Sequence, residues 1–251
     1  MVSKNQIKLI TSLQHKKYRI EHQLFIAEGV KVIQELLASN FVLEHLFETE
    51  AVFEHVSISQ KTLIKEQDMK RITALSSASS CLSIFKIPPA TKIDTKGLII
   101  GLDDIRDPGN LGTIIRLCDW FGVKQLLCSQ ETVDVYNPKV IQATMGSITR
   151  VKINYIDLND YVLQSALPVF GTFMDGKNLY KEALPKEAIL ILGNEANGIS
   201  AGLEKSIKNR IAIPRFPSAV GYASCGDMQK TESLNVATAT AIFLSEFRRN
   251  G

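Results

Sequence analysis

Short aliphatic runs recur between residues 97 and 213, and each ends at residues that bend or stop a chain. The clearest run, 188–192, is apolar throughout and is followed by the loop-forming sequence Gly-Asn-Glu-Ala-Asn-Gly. An uninterrupted apolar run of this length is typical of a strand buried on both faces of a parallel sheet. The pattern predicts strands over 97–102, 124–128, 151–156, 169–174, 188–192 and 210–213. Helices predicted over 111–121, 137–145, 158–167, 201–207 and 233–247 alternate with them, which indicates an α/β fold with a mainly parallel, helix-covered sheet.

The first part of the chain shows a shorter alternation of the same kind. Strands are predicted over 24–27, 43–47, 56–58 and 82–87, and helices over 5–19, 30–37 and 60–66. The helix over 30–37 has apolar residues at helical spacing, namely Val30, Ile33 and Leu37. The stretch 88–95 begins with two prolines and is predicted to be a linker. We therefore predict a small α/β/α domain over residues 1–90 and a larger α/β domain over 91–251.

Composition adds an uneven charge to this picture. The chain has 251 residues, 45% of them hydrophobic, and a formal net charge of +3, which alone does not indicate a polyanionic partner. Basic residues nevertheless gather before the first acidic residue, Glu21. They are Lys4, Lys8, His15, Lys16, Lys17 and Arg19. Two interpretations are equally open: a surface that faces nucleic-acid phosphates, and a solvated helix face.

What the sequence lacks disfavours several classes of protein. The four cysteines, Cys81, Cys118, Cys128 and Cys225, form no Cys-x-x-Cys pair, which argues against zinc and disulfides and is typical of a reducing, cytoplasmic location. No apolar run approaches about 18 residues, so we expect no membrane span. The glycine patterns of dinucleotide-binding and phosphate-binding loops are missing. All four histidines precede residue 56, so we expect neither a histidine-based triad nor a metal site in the larger domain.

Three polar stretches in the larger domain follow predicted strands or begin a helix. The first contains Asn110, the expected N-cap of a helix, and Arg116, which lies near the apolar face of that helix. The second is the loop 193–198, whose glycines allow a ligand to approach the backbone. The third combines 213–214 with 233–235. Each also fits an ordinary capped helix or connection, with Arg116 paired to a carboxylate, but ligands of open α/β sheets bind where strands end.

In order and spacing, these stretches resemble the three motifs of the SpoU (TrmH-type) RNA ribose 2′-O-methyltransferases, within the SPOUT superfamily. Motif one is matched by NLGTIIR at 110–116, and motif two by LGNEANG at 192–198. Motif three is matched by Ile-Pro at 213–214 together with SLNVA at 233–237. The resemblance covers residues 97–249. Residues 13–19 and 24–29 also resemble the ribosomal-protein-like RNA-binding domain that many members carry in front of the catalytic domain.

This resemblance implies an α/β domain whose C-terminal segment threads a trefoil knot, binds S-adenosylmethionine with the knot loops and forms a homodimer. Carried over, the catalytic positions are Asn110, Arg116, Glu195, Ser233 and Asn235. The cofactor-binding positions are Thr172, Gly193, Asn194, Glu195, Gly198, Ile213, Pro214, Leu234 and Asn235. Contacts with the RNA partner are expected from Lys16, Lys17, Arg19 and Arg116.

The implied reaction transfers a sulfonium methyl group to a ribose 2′-oxygen. Ribosomal RNA is the favoured substrate because of the N-terminal domain, and tRNA and a non-catalytic RNA-binding protein of the same fold are the alternatives. Arginine has a pKa above about 12 and is a poor base, so we expect Arg116 to grip a phosphate and stabilise alkoxide charge. The chain departs from the family at 215–232, where eighteen residues replace a short linker.

Overall fold

The computed structural model describes residues 2–216 and 233–249, and these residues form two compact units. The first unit is built from Met1–Lys92, Asp107–Asp119 and Val133–Ile153. The second is built from Ile93–Arg106, Trp120–Thr132 and Asn154–Gly251. The chain therefore passes repeatedly from one unit to the other. Of the insertion 215–232, residues 217–232 lie outside the described residues, and they include Cys225.

Helices and strands alternate along most of the described chain. The helices are α1 (Lys4–Ser12), α2 (Lys16–His22), α3 (Val30–Leu37), α4 (Glu66–Ile72), α5 (Pro108–Trp120), α6 (Pro138–Thr144), α7 (Leu158–Gln164), α8 (Ala201–Glu204) and α9 (Val236–Arg248). The strands are β1 (Leu24–Glu28), β2 (Leu43–Glu48), β3 (Lys61–Leu63), β4 (Cys81–Lys86), β5 (Leu98–Leu102), β6 (Gln125–Cys128), β7 (Lys152–Tyr155), β8 (Val169–Asn178), β9 (Ala188–Leu192) and β10 (Asn209–Ala212). No helix among these residues is long and apolar enough to span a membrane.

The first unit contains a mixed sheet in the order β1-β4-β2-β3. Strand β4 is antiparallel to both of its neighbours, whereas β2 and β3 run parallel. Apolar side chains of α1, α4 and the strands form one buried cluster, which includes Ile10, Leu13, Ile26, Phe47 and Leu82. The predicted helix 30–37 is confirmed by α3.

The predictions for residues 56–66 are wrong. Residues Ile58–Gln60 form a 3-10 turn instead of the end of a strand, and β3 occupies part of the predicted helix 60–66. Contacts remote in sequence hold β3 against β2: the Lys61 ammonium lies 3.5 Å from the Glu48 carboxylate, and His45 Nε2 lies 2.9 Å from Thr62 Oγ1. These cross-strand contacts override the local helical pattern, and the helix begins only at Glu66.

Residues 133–153 complete the core of the first unit. Arg19 is 2% exposed, and its guanidinium donates to Asp134 Oδ2 at 2.6 and 2.8 Å and to the Leu13 carbonyl at 2.8 Å. The Tyr136 ring packs on Phe25 with centroids 4.9 Å apart, and burial raises the pKa of the Tyr136 hydroxyl. The Arg150 guanidinium joins Glu35 of α3 to Asp119 of α5. The unit is therefore assembled from distant parts of the sequence.

The second unit is organised by a sheet in the order β10-β8-β9-β5-β6-β7. The pairings of β10 with β8, β8 with β9, β9 with β5 and β5 with β6 are parallel. Strands β5 and β9 are buried along their whole length. The predicted parallel sheet of an α/β domain is thus confirmed, because strands with this apolar composition are stable only when both faces are covered.

Two helices next to predicted site residues, α5 and α9, begin at other residues than the sequence predicts. Helix α5 begins at Pro108, not Leu111, so Asn110 lies inside the first turn and is not the N-cap. The Asp107 carboxylate accepts from the Asn110 backbone N–H at 2.8 Å, and proline is well suited to a first helical position. Helix α9 begins at Val236, not Ser233, because Asn235 caps it.

Candidate functional site

The loop after β9 folds back on itself as a narrow hairpin. The Asn194 and Gly198 backbones exchange two hydrogen bonds, at 2.9 and 3.0 Å. A Cβ on Gly193 would lie 2.2 Å from the Gly198 carbonyl carbon, and Gly198 has φ of +69°. Both positions therefore require glycine, one for close backbone approach and the other for a left-handed conformation. The Asn194 Oδ1 accepts from Ala196 N and Asn197 N at 2.8 and 3.1 Å, which closes the loop from inside.

The same loop is fastened to the residues that follow β5. Asn194 Nδ2 donates to the Asp104 carbonyl at 2.8 Å, and the Ser200 N–H donates to Asp103 Oδ2 at 2.7 Å. Asp103 is buried, so this carboxylate acts as a fixed internal acceptor. The Asp104 N–H in turn donates to Ser129 Oγ at 3.0 Å, beyond the end of β6. Polar residues at three strand ends thus hold the loop in one conformation.

Four segments that are far apart in sequence line one cavity of about 1260 Å³: part of β8, the loop after β9, the residues after β10, and the approach to α9 with its first turns. Among the predicted site residues, those that line it are Thr172, Gly193, Asn194, Glu195, Gly198, Ile213, Pro214, Ser233 and Leu234. Further walls that were not predicted are Phe173, Met174, Leu192, Ala196, Asn197, Arg215, Phe216, Val236, Ala239 and Phe243. Leu192, Ala196, Asn197 and Val236 belong to the matched motifs, whereas the apolar residues outside the motifs resemble ordinary core residues and no sequence signal separates them from the core.

One of these unpredicted walls, Phe173, is held by a charged neighbour. The Arg210 guanidinium carbon lies 3.5 Å from the Phe173 ring centroid, which is a cation–π contact. The same guanidinium donates to Asp175 Oδ1 and Glu204 Oε1, both at 2.6 Å. Arg210 holds the pKa of the Asp175 carboxyl below its usual range through this hydrogen bond. Asp175 and Glu204 fix the guanidinium, and the guanidinium fixes the ring.

Asn235 is not among the residues that line the cavity. Its side-chain oxygen accepts from the Ala237 and Thr238 backbone N–H groups at 2.9 and 3.2 Å. The described geometry therefore gives Asn235 a helix-capping role. The neighbouring Ser233 and Leu234 face the cavity because the cap fixes the direction in which the chain enters α9.

Asn110 and Arg116 lie on α5, which belongs to the first unit, whereas the cavity belongs to the second unit. Arg116 is exposed, and within residues 2–216 and 233–249 no carboxylate lies within ion-pair distance of its guanidinium. The alternative that Arg116 bridges to a carboxylate thus finds no partner in the described part of the chain.

The prediction that Arg19 contacts RNA needs correction. Its guanidinium is buried and paired with Asp134, so it cannot face an external phosphate without breaking that pair. Lys16 and Lys17 of the same helix are exposed. The residues described by the structure include no group of three or more histidine, cysteine or acidic side chains placed to hold a metal ion.

Comparisons with known proteins match both halves of the chain. The profile of the SpoU rRNA Methylase family matches residues 97–245, and that of the MRM3-like substrate binding domain matches residues 4–82. The chain is 27% identical over 254 residues to the 23S rRNA (guanosine(2553)-2′-O)-methyltransferase RlmP of Bacillus subtilis (strain 168), an alignment that covers 98% of this chain and 97% of that one.

Solved structures extend the likeness over the whole chain. A Porphyromonas gingivalis protein assigned to the TrmH family of RNA methyltransferases is 36% identical, has a TM-score of 0.88, and matches over 100% of both chains. The AdoMet-bound rRNA methyltransferase of Sinorhizobium meliloti is 27% identical, has a TM-score of 0.83, and matches over 100% of this chain and 97% of that one.

Proposed function

The chain belongs to the SpoU rRNA methylase family, and from this premise we propose that it methylates a ribose 2′-hydroxyl of ribosomal RNA with S-adenosylmethionine. One observation carries the proposal: the loop after β9, the end of β10 and the approach to α9 line a single cavity. Relatives that are named for 23S rRNA or rRNA methylation support ribosomal RNA over tRNA.

The residues of the cavity fit the proposed cofactor. The side chains of Leu192, Ile213 and Leu234 offer an apolar wall to a planar base. Because Gly193 has no side chain, the loop closes against the Gly198 backbone and forms a compact wall of the cavity. The Glu195 carboxylate is a suitable neighbour for a cationic ligand. When bound, S-adenosylmethionine supplies a methyl group activated by its positive sulfonium.

We assign Arg116 to the RNA rather than to proton abstraction. A guanidinium stays protonated at neutral pH, donates in a planar fork and suits a phosphate or a developing alkoxide. Its exposure, and the lack of a carboxylate partner among the described residues, support this role. Asn110, Glu195, Ser233 and Asn235 would then position the ribose and the loops, with Asn235 acting through its cap of α9.

The N-terminal part of the chain is proposed to bind the RNA substrate. Lys16 and Lys17 project their charges from the exposed side of α2, and the match to a substrate binding domain supports this role. Phosphate contacts of this kind add affinity without sequence specificity.

We further propose a homodimer and a knotted C-terminal segment, both carried from the family, and a cytoplasmic location, which rests on the scattered cysteines. Sedimentation velocity at micromolar concentration tests the dimer. A monomer that methylates RNA at full rate would exclude a site shared between two subunits.

Titration calorimetry with S-adenosylmethionine tests the enzyme against the non-catalytic alternative. We expect saturable binding with one site per chain, and no binding would favour an RNA-binding protein that keeps only the fold. Mapping 2′-O-methyl groups in RNA from a strain that lacks the gene would then identify the nucleotide. A lost methyl group in tRNA, with rRNA unchanged, would overturn the assignment of the substrate.

A further inference from the structure

A second groove lies in the first unit, between α1 and α2, and none of its residues belongs to the cavity described above. Its volume is about 780 Å³. The residues that line it are Asn5, Lys8, Leu9, Thr11, Ser12, Gln14, His15, Tyr18, Glu21 and His22. The capping box of Ser3 and Gln6 and the Gln14 side chain, which donates to the Thr73 carbonyl at 3.3 Å, fix the two ends of α1. The groove is therefore a preformed feature of folded helices.

Aromatic rings gather at this groove although no core requires them there. Tyr18 is 36% exposed and is the centre of the group. The His22 ring lies nearly parallel to it, at 17° with centroids 6.5 Å apart, and the His15 ring stands edge-on at 68° and 6.5 Å. The Lys17 ammonium lies 5.7 Å from the Tyr18 centroid. An exposed tyrosine flanked by two imidazoles and an ammonium is a surface on which a nucleobase stacks well.

The charges around the rings suit a nucleotide. Lys8 lines the groove, and the exposed Lys16 and Lys17 belong to the helix that forms one of its walls. Of the residues that line the groove, Glu21 alone carries a carboxylate. A carboxylate repels a phosphate but accepts hydrogen bonds from the amino group of cytosine, adenine or guanine. The lysines of this groove therefore suit the phosphate of a nucleotide, and the Glu21 carboxylate suits its base.

We propose that this groove binds one unpaired nucleobase of the RNA substrate, stacked on Tyr18 and read by Glu21. The inference rests on the proposed function, since it concerns the same RNA, and it adds a base-selective subsite. Uracil has no amino group, and its one ring N–H lies between two carbonyl oxygens that repel a carboxylate. Glu21 therefore selects against uracil, and Lys8, Lys16 and Lys17 hold the backbone of the unpaired strand.

Fluorescence anisotropy with labelled single-stranded RNA tests the groove on the full chain. The probes are twelve-residue oligocytidylate and oligouridylate at one fixed salt concentration. We expect the wild type to bind oligocytidylate more tightly. Tyr18→Ala should weaken that binding about tenfold, whereas Tyr18→Phe, which keeps the ring, should bind as the wild type does. Tyr180→Ala removes an equally exposed tyrosine from the second unit and serves as the matched control.

Glu21→Gln tests the reading of the base separately from stacking. We expect it to abolish the preference for oligocytidylate over oligouridylate while Tyr18 still supports binding. Equal binding by wild type and Tyr18→Ala, or no binding of either probe by the wild type, would overturn the proposal. Calorimetry with S-adenosylmethionine on the same variants keeps this result apart from the proposed function, because the groove contributes no residue to the cofactor cavity.

Discussion

Arg19 and Arg116 carry the same guanidinium in opposite surroundings. The first is buried and held by Asp134 and a backbone carbonyl, so its donors are used within the fold. The second is exposed on α5 and meets no carboxylate within the described ranges. A buried ion pair of this kind adds little net stability. Removing only one partner, however, lowers the unfolding free energy by roughly 3–5 kcal/mol, because the other charge is left buried and unpaired. The first arginine is therefore structural, and the second is available to an anion.

Replacing Arg116 with lysine should lower kcat/KM for RNA methylation by roughly 10- to 100-fold, because lysine keeps the charge but not the planar pair of donors. A radiolabelled methyl-transfer assay measures this loss, and the affinity for S-adenosylmethionine should stay unchanged. Arg71→Lys, at an exposed position of α4, is the control. Near-normal turnover of the Arg116→Lys variant would argue against a bidentate grip on phosphate.

Single residues also show where prediction from sequence ends. Gly193 and Gly198 could be found because glycine spacing reports a requirement of the local backbone. The Arg19 partner could not, since Asp134 lies 115 residues further along the chain. Phe173 and Phe243 were missed as cavity walls because an apolar residue has the same signature in a core and in a pocket.

The loop 193–198 behaves as a single element because its two ends are joined. Asn194 and Gly198 exchange backbone hydrogen bonds, and the Asn194 amide ties the loop to the end of β5. The shape of this cavity wall therefore depends on the close packing of Gly193 against the Gly198 backbone.

Gly193→Ala should weaken S-adenosylmethionine binding at least about tenfold, because the added methyl group would overlap the Gly198 backbone and force the loop open. Calorimetry gives the affinity. Gly202→Ala is the matched control, since a Cβ at Gly202 meets no atom within 4 Å and alanine favours the helix α8. Wild-type affinity in the Gly193→Ala variant would show that the loop does not form the binding wall.

Helix α9 allows the capping role of Asn235 to be separated from a catalytic one. Aspartate caps as well as asparagine, so Asn235→Asp should keep the unfolding free energy, whereas Asn235→Ala should lose about 1 kcal/mol. If the reaction also needs the amide, methyl transfer should fall in both variants. Urea unfolding and the methylation assay measure the two effects. Full activity of the Asn235→Asp variant would show that Asn235 caps α9 and has no catalytic role.

Elements with a strong local pattern were predictable, and elements held by remote contacts were not. The strand 188–192 and the helix 30–37 were predicted with their observed bounds, because each has an unbroken apolar pattern between clear stop signals. The three residues of β3 have no such pattern and depend on Glu48 and His45 of the neighbouring strand. The bounds of α5 shifted because Asp107 and Pro108 begin a helix more favourably than Asn110 does.

At the scale of the whole molecule, compactness does not follow chain order. Residues 107–119 and 133–153 join the N-terminal residues in one unit, although the predicted domains divide the chain near residue 90. Helix α6 and the Tyr136 ring pack on β1, and Arg150 ties α3 to α5. The sequence pattern predicts the position of a linker, but it does not predict which later segment of the chain packs against the N-terminal residues.

A fragment of residues 91–251 should therefore be less stable than the full chain. It keeps Asp134 and Tyr136 but loses their partners Arg19 and Phe25, which leaves a carboxylate unpaired and an apolar face uncovered. We expect a lower thermal midpoint and strong binding of an apolar fluorescent dye, with the full chain as control. A fragment that melts at the same temperature without binding the dye would show that the two predicted domains are independent.

The ion pair between Arg19 and Asp134 also determines when the N-terminal part of the nascent chain can complete its folding. The two residues are 115 positions apart, and ribosomes add roughly 5–20 residues per second, so the N-terminal guanidinium waits on the order of ten seconds for its counter-ion. Until then a cation destined for burial stays in water, and the surface of β1 that receives α6 is bare. The N-terminal segment therefore leaves the ribosome before its core can form, and it folds fully only when the middle of the chain has emerged.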